Sequence, residues 1–342
     1  MPDKKPMQSQ PLMPYVMPGY KPLSTLLPLE SPLSINLSTT TRCNFRCKFC
    51  YKSVADESSP HDDMPFEIAQ KLANDILGFK TQINTLELSA YGESLLYPHI
   101  IDTIKLFKAT GKIENIRITT NGSLLTKAVS EQLVLAGLDS VIVSLNGLSD
   151  AQYSDLTQSN IPELFGLVYE NIKRLYAMRK NCRILVKIVD DFYMDDEKKF
   201  FVETFGPVSS TAYVEPLANQ WRNVNSFANS GLVDAGAENR MIEAGKGKPM
   251  CSVTFHALFV RADGVVGACC DDREFLMAVG DVKKDSLVQI WNGDKMAAIR
   301  KAHLTQTNIP RLCGDCRYYE KQRSEDLFPY REELIKKYGF NE

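Results

Sequence analysis

Between residues 33 and 217 the apolar positions switch repeatedly between a period of two and a period near three and a half. Thr85-Leu86-Glu87-Leu88-Ser89-Ala90 alternates as a half-buried strand does. Ile35–Thr41, Asn115–Thr120, Ser140–Leu145, Arg183–Val189 and Thr211–Glu215 are short runs rich in β-branched residues and read as strands too. Helical spacing fills the gaps. Pro65 can open a helix at its first position, after which Phe66, Ala69, Leu72, Ala73, Ile76 and Leu77 share one face. The same spacing predicts helices at Ile100, Ile104 and Leu106, over Leu125–Ala136 with Gly137 at the capping position, over Ile161–Met178 and over Asp195–Phe205. Six strand–helix units with short connections predict an α/β fold built on a parallel sheet covered by helices. Sheet order is not readable from the pattern. Ligands of such sheets sit at the carboxyl ends of the strands.

Outside this stretch the pattern weakens. Residues 1–32 carry Pro2, Pro6, Pro11, Pro14, Pro18, Pro22, Pro28 and Pro32, which excludes a long helix. They read either as an extended arm packed through Tyr15, Val16, Leu26 and Leu27 or as a disordered tail. Residues 218–247 read as a linker. Residues 248–325 form a cysteine-bearing module, and 326–342 a tail with a short charged helix, Arg331–Tyr338. The 342-residue length suits two domains, or one large domain with an appendage. A formal net charge of −2 without a dense Lys/Arg cluster argues against a nucleic-acid or anionic-membrane partner. No signal peptide or membrane-length apolar run stands out, and the nine cysteines are an odd count, so a reduced cytoplasmic setting is expected.

Chemistry concentrates in the cysteines. Cys43, Cys47 and Cys50 stand at C-x3-C-x2-C directly after the first strand, spaced so that a curled loop can aim three thiolates at one point. Thiolates select zinc, copper(I) or iron–sulfur clusters. A closed structural zinc site wants four ligands, whereas three thiolates leave one corner of a four-iron cube open to a small molecule. An open zinc site, or cysteines used as core residues, are the plainer alternatives. A second set, Cys251, Cys269, Cys313 and Cys316, reads C-x17-C…C-x2-C. Leu258–Ala268 between its first two members is a hairpin around Asp263-Gly264, which returns the chain so that the two cysteines can meet. Four thiolates satisfy zinc or a fully ligated cluster equally well, and spacing does not choose between them.

The first cysteine motif, with Phe49 before its last cysteine, resembles the signature of radical S-adenosylmethionine (SAM) enzymes. The resemblance implies a partial (β/α)6 barrel and a [4Fe–4S] cluster on Cys43, Cys47 and Cys50. Its open iron would chelate SAM, whose reductive cleavage yields a 5′-deoxyadenosyl radical. Strand-end residues match further family motifs and imply SAM contacts at Phe49, Gly92, Glu93, Asn121, Ser144 and Asn146. Gly92-Glu93 is similar to the motif for the SAM amino group, although Tyr91 stands where a first glycine is usual. Asn121-Gly122 is similar to the family's Thr-Asn-Gly, and in Ser144-Leu145-Asn146-Gly147 an asparagine replaces the usual acid. Taken singly, each of these is also an ordinary turn. Residues 264–316 resemble the SPASM/twitch extension, which implies an auxiliary [4Fe–4S] cluster on Cys251, Cys269, Cys313 and Cys316. Full SPASM modules carry more cysteines, so the shorter, single-cluster form is expected.

The resemblance implies an oxidoreductase with a small-molecule substrate and an external one-electron reductant of the flavodoxin or ferredoxin type. The expected reaction is dehydrogenation of a sugar- or aminocyclitol-like alcohol, with the auxiliary cluster taking an electron. Lys187 and Glu215 are candidate bases at the barrel mouth, with an internal salt bridge as the plainer role. Cys270 is a candidate hydrogen-atom donor. Cys182 is another, and buried small hydrophobe is the plainer role for both. One alternative is peptide modification by crosslinking or epimerisation. Another is a non-enzymatic iron–sulfur electron carrier. The four histidines show no ligand spacing.

Overall fold

The computed structural model describes residues 21–53, 63–215, 250–314, 316 and 325–340. Most of the arm (1–20), His61, the linker 218–247, and residues 248–249, 315 and 317–324 of the module lie outside the described residues.

Six parallel strands form one side of the sheet: β1 Ser34–Leu37, β2 Ile83–Glu87, β3 Ile113–Thr120, β4 Ser140–Ser144, β5 Arg183–Val189 and β6 Thr211–Glu215. Helices α1 Phe66–Leu77, α2 Ile100–Ala109, α3 Lys127–Leu135, α4 Asp150–Thr157, α5 Leu164–Met178 and α6 Asp195–Phe205 connect them. The α/β alternation read from the sequence is therefore present. Some boundaries moved for local reasons. β2 starts at Ile83, paired with Ile113, and ends at Glu87, beyond which Ser89 hydrogen-bonds Ser94 and the Thr119 carbonyl. α3 starts at Lys127 because the Thr126 side chain caps it, accepting from the Val129 N–H. The short helix α4 has no clear apolar period and was not expected; Ser149 caps it.

The module does not stand apart. Strands β7 Ala257–Val260, β8 Val265–Gly267 and β9 Ala278–Asp281 complete a nine-stranded sheet in the order β6-β5-β4-β3-β2-β1-β7-β8-β9. β7 lies parallel to β1, with Ile35 opposite Leu258, and β7–β8 form the expected hairpin. Gly264 holds φ +90 at its turn, a conformation that L side chains rarely adopt, while Asp263 accepts from Arg261 and the Val265 N–H. Helices α7 Leu287–Trp291 and α8 Asp294–Thr305 follow, then a helical turn Arg311–Gly314 and α9 Arg331–Tyr338.

One apolar core runs through barrel and module, from Val186 and Leu86 through Ile35 to Leu258, Val266, Leu287 and Trp291. Trp291 is 1% exposed; its indole N–H donates to the Leu29 carbonyl, and the Arg300 guanidinium lies over its ring at 4.0 Å. Arg300 is itself buried and spends donors on the Thr254 and Trp291 carbonyls; burial pulls its pKa down to about 10. A smaller cluster gathers the two ends of the described chain: Leu23, Leu27, Leu327 and Leu334 pack with Met250, Phe255 and Leu304. The Glu325 carboxylate accepts from the Leu23 and Ser24 N–H groups.

Trp291→Ala would empty a large buried site, strand the Leu29 carbonyl and remove the ring beneath Arg300. A loss of about 3–5 kcal/mol is expected in denaturant unfolding, the usual range for a buried tryptophan.

Candidate functional site

The parallel strands all deliver their carboxyl ends to one face, and the three-cysteine loop leaves β1 at that face. The loop is fixed by its neighbours. α4 offers its last carbonyls to it, Thr157 to the Arg46 N–H and Leu156 to the Lys48 N–H. Phe45 anchors it in the core at 2% exposure. Arg46 folds back to donate to the Cys43 and Phe45 carbonyls. Arg42, at the loop's start, forks onto Asp63 and also donates to the Leu96 carbonyl.

The three thiols come together. Burial pushes the Cys47 thiol well above its ordinary value, and the Cys50 and Cys43 sulfurs push it further the same way. Burial and mutual repulsion thus keep Cys47 protonated, and the positive charge of a coordinated metal is what would deprotonate such a thiol. Asn146 follows β4 and donates its side-chain amide to Cys47 Sγ at 3.9 Å. Asn44, within the loop, accepts from Asn121 Nδ2 and donates to Ser123 Oγ, while Asn121 Oδ1 accepts from Ser123. This Asn44–Asn121–Ser123 triangle binds the cysteine loop to the end of β3. Asn44 and Ser123 carry no sequence signal beyond lying in loops with turn chemistry.

The Gly92-Glu93 pair has a geometry the sequence does not foretell. A Cβ at Gly92 would lie 2.5 Å from the Thr40 and Arg42 carbonyl oxygens. The close approach that the glycine allows is thus to the cysteine loop's own backbone. Glu93 is 3% exposed, and its carboxylate accepts from Thr120 Oγ1 at 2.7 Å, the Asn121 N–H at 2.8 Å and the Leu95 N–H at 3.1 Å. Burial raises its pKa, and those three donors counter it. Glu93 therefore joins β2's end to β3's end, with Oε1 accepting two of these bonds and Oε2 one.

Phe49 faces Phe192, ring centroids 5.1 Å apart, beyond the end of β5. Ser144 ends β4 beside Lys187 of β5, and Lys187 pairs with Glu215 at the end of β6. The salt bridge anticipated as the plainer role for Lys187 and Glu215 is thus present, at the site face. Cys182 lies at the opposite, amino end of β5; it is 5% exposed in the core, where burial pushes its thiol up to about 12. It cannot reach a substrate at the site face.

The second thiol set also converges. Cys251, Cys269, Cys313 and Cys316 line a cavity of about 130 Å³ together with Asp271, His303 and Ile309. Burial pushes the Cys251 thiol up to about 12, with the Cys269, Cys313 and Cys316 sulfurs adding to the push. A water needs roughly 10–15 Å³ on this measure, so the space suits a multi-atom group. Among the described residues no three His, Cys, Asp or Glu side chains converge as they would on a single ion. The Asp271 N–H donates to Cys269 Sγ at 3.3 Å. Cys270 sits beside Cys269, partly buried against Tyr51 and Tyr91. His303, in the cavity wall, had no sequence signal.

Among the described residues no helix is long and apolar enough to cross a membrane. The model of the radical SAM superfamily matches residues 37–218, and that of an iron–sulfur cluster-binding domain, SPASM, matches 251–317. The tungsten-containing aldehyde ferredoxin oxidoreductase cofactor-modifying protein of Pyrococcus furiosus is 31% identical over 317 residues, 82% of this chain and 86% of that protein. The solved structure of BtrN in complex with AdoMet and 2-DOIA superposes with a TM-score of 0.57 at 18% identity, over 86% of this chain and 96% of that one. Streptococcus suis SuiB bound to S-adenosylmethionine gives 0.62 at 13% identity, over 87% and 74%. At these identities the structures speak for the fold alone.

Gly92→Ala is expected to cost about 1–3 kcal/mol through overpacking and to lower iron content at the first site, read by thermal unfolding and iron analysis. Asn146→Leu removes one hydrogen bond to Cys47 Sγ. Such a bond is stronger to the more negative, reduced cluster, so the first cluster's midpoint potential should fall, on the order of tens of mV, in an anaerobic spectroscopic titration.

Proposed function

The chain belongs to the radical SAM superfamily and carries its SPASM iron–sulfur domain, and we propose that it oxidises an alcohol of a sugar- or aminocyclitol-like small molecule. When bound, the two clusters and SAM would supply a hydrogen-abstracting radical and an acceptor for the electron left behind. The observation that carries the oxidative reading is the ring of four thiols, Cys251, Cys269, Cys313 and Cys316, around one cavity beside the barrel. Four protein ligands leave no open corner for substrate, so electron transfer is the chemistry that remains to such a centre.

The chain's own residues divide the work. Cys43, Cys47 and Cys50 hold the first cluster, and the Asn44–Asn121–Ser123 triangle and Arg42 hold their loop. Phe49 and Ser144 border the SAM site. Glu215 accepts the substrate hydroxyl proton at its carboxylate, with the Lys187 ammonium holding that carboxylate in place. An external one-electron donor of the flavodoxin or ferredoxin type would reduce the first centre.

A second reading has a specific observation behind it. Similarity to the Pyrococcus furiosus cofactor-modifying protein runs through most of both chains, which favours a substrate that is itself a metal-enzyme cofactor or its precursor. Both readings share the oxidative site and differ in what fills it.

Anaerobically reconstituted protein with reductant and SAM should release 5′-deoxyadenosine, and a panel of polyols and aminocyclitols should yield a ketone product. Cys269→Ala should keep SAM cleavage but lose the ketone. Glu215→Gln should lower kcat by roughly 10²-fold or more, as removal of a general base does. No 5′-deoxyadenosine with any of several reductants, or stoichiometric zinc at the first site, would overturn the reading.

A further inference from the structure

Residue 91 is where the chain departs from the paired-glycine pattern that it otherwise resembles. A buried tyrosine stands there, 7% exposed, beside Tyr51 at 6%. Both lie in an apolar cluster with Val253, Phe259 and Phe275 of the module. Tyr51 directly follows Cys50, and its hydroxyl donates to the Tyr91 carbonyl at 2.5 Å. The two rings meet edge to face with centroids 6.1 Å apart. The Tyr91 hydroxyl in turn donates to the Cys270 carbonyl at 3.3 Å, and Cys270 directly follows Cys269. Arg273, three residues further on, lays its guanidinium over the Tyr51 ring at 4.7 Å. A continuous run of bonds therefore joins a ligand of the first thiol set to a ligand of the second, through Cys50, Tyr51, Tyr91, Cys270 and Cys269. Its only non-covalent steps are two hydrogen bonds. A glycine at position 91 could supply neither the hydroxyl nor the ring that fills this cluster.

We propose that Tyr91, backed by Tyr51, is a positioning residue that fastens the auxiliary-cluster loop to the SAM-cluster loop and so fixes the separation and mutual orientation of the two clusters. The proposal rests on the reading that both thiol sets hold iron–sulfur clusters. Neither tyrosine touches substrate in this scheme; each acts through the loops that it joins. Phenylalanine keeps the ring packing and deletes only the hydroxyl, leaving the Cys270 carbonyl short of its donor.

The test compares Tyr91→Phe and Tyr51→Phe with unaltered protein, and Tyr176→Phe on α5 serves as control. Iron and sulfide are assayed first on unaltered protein; absence of either cluster sinks the functional reading itself. In iron-replete Tyr91→Phe, pulsed electron paramagnetic resonance should show a broadened distribution of distances between the two reduced clusters. The auxiliary cluster's midpoint potential should shift. Amide exchange over 269–277 should quicken roughly fivefold to tenfold, the effect of one lost buried hydrogen bond. Tyr51→Phe should do the same and Tyr176→Phe none of it. Unchanged coupling, potential and exchange in Tyr91→Phe would overturn the proposal while leaving the functional reading intact. A drop in melting temperature without those changes would also overturn it, since it marks a merely structural residue. If neither variant holds iron, exchange on the iron-free proteins decides in the same way.

Discussion

The hydrogen bonds between β1 and β7 govern the rest of the molecule. β1 is flanked by β2 on one side and β7 on the other, parallel to both. The strand that feeds the three-cysteine loop is thereby interior to the sheet, although it is the first strand in the chain. The module's hairpin extends that same sheet, and Cys50, Cys251 and Cys270 pack against one apolar cluster. Parallel pairing of this kind needs both faces covered, and the continuous apolar core through Ile35, Leu258, Val266 and Trp291 provides it.

Around that pairing, polar groups at the strand ends are spent mostly on one another. Glu93 takes donors from three residues of two segments, and Asn121, Asn44 and Ser123 close on themselves. These bonds tie the cysteine loop to the segments that follow β2 and β3. Preorganised geometry of this type lowers the reorganisation that a bound cofactor would otherwise demand. The ion pair of Lys187 and Glu215 is more open than Glu93, with side chains 22% and 26% exposed, and it joins β5 to the end of β6.

Much of this was legible in the sequence, for reasons that also explain what was not. Alternation of apolar period is a local property, so β5, β6 and α6 fall where their residues say, and β3 starts two residues earlier than read, at Ile113. Ligand spacing is local as well: the Cys43 and Cys50 sulfurs lie near enough to act on Cys47, and Cys251, Cys269, Cys313 and Cys316 line one cavity. α4 escaped notice because its apolar residues keep no helical period. The pairing of β1 with β7 joins residues more than two hundred positions apart and leaves no mark on either strand. Gly92 read as a place for a ligand to come close; the nearest atoms are carbonyls of the cysteine loop, a relation visible only once β1 and β2 lie side by side. Tyr91 read as a blemish in a motif, and its hydroxyl's acceptor sits 179 positions away.

The carboxylate of Glu325 closes over the first turn of the described chain, at Leu23 and Ser24, and Asp326 next to it accepts from the Met250 N–H. Beginning, end and the entry to the iron–sulfur module are therefore knotted at one spot. Loosening at Leu23 or at Glu325 would travel to the segment that carries Cys251, and loss of the Glu325 carboxylate would free Leu23 and Ser24 as well.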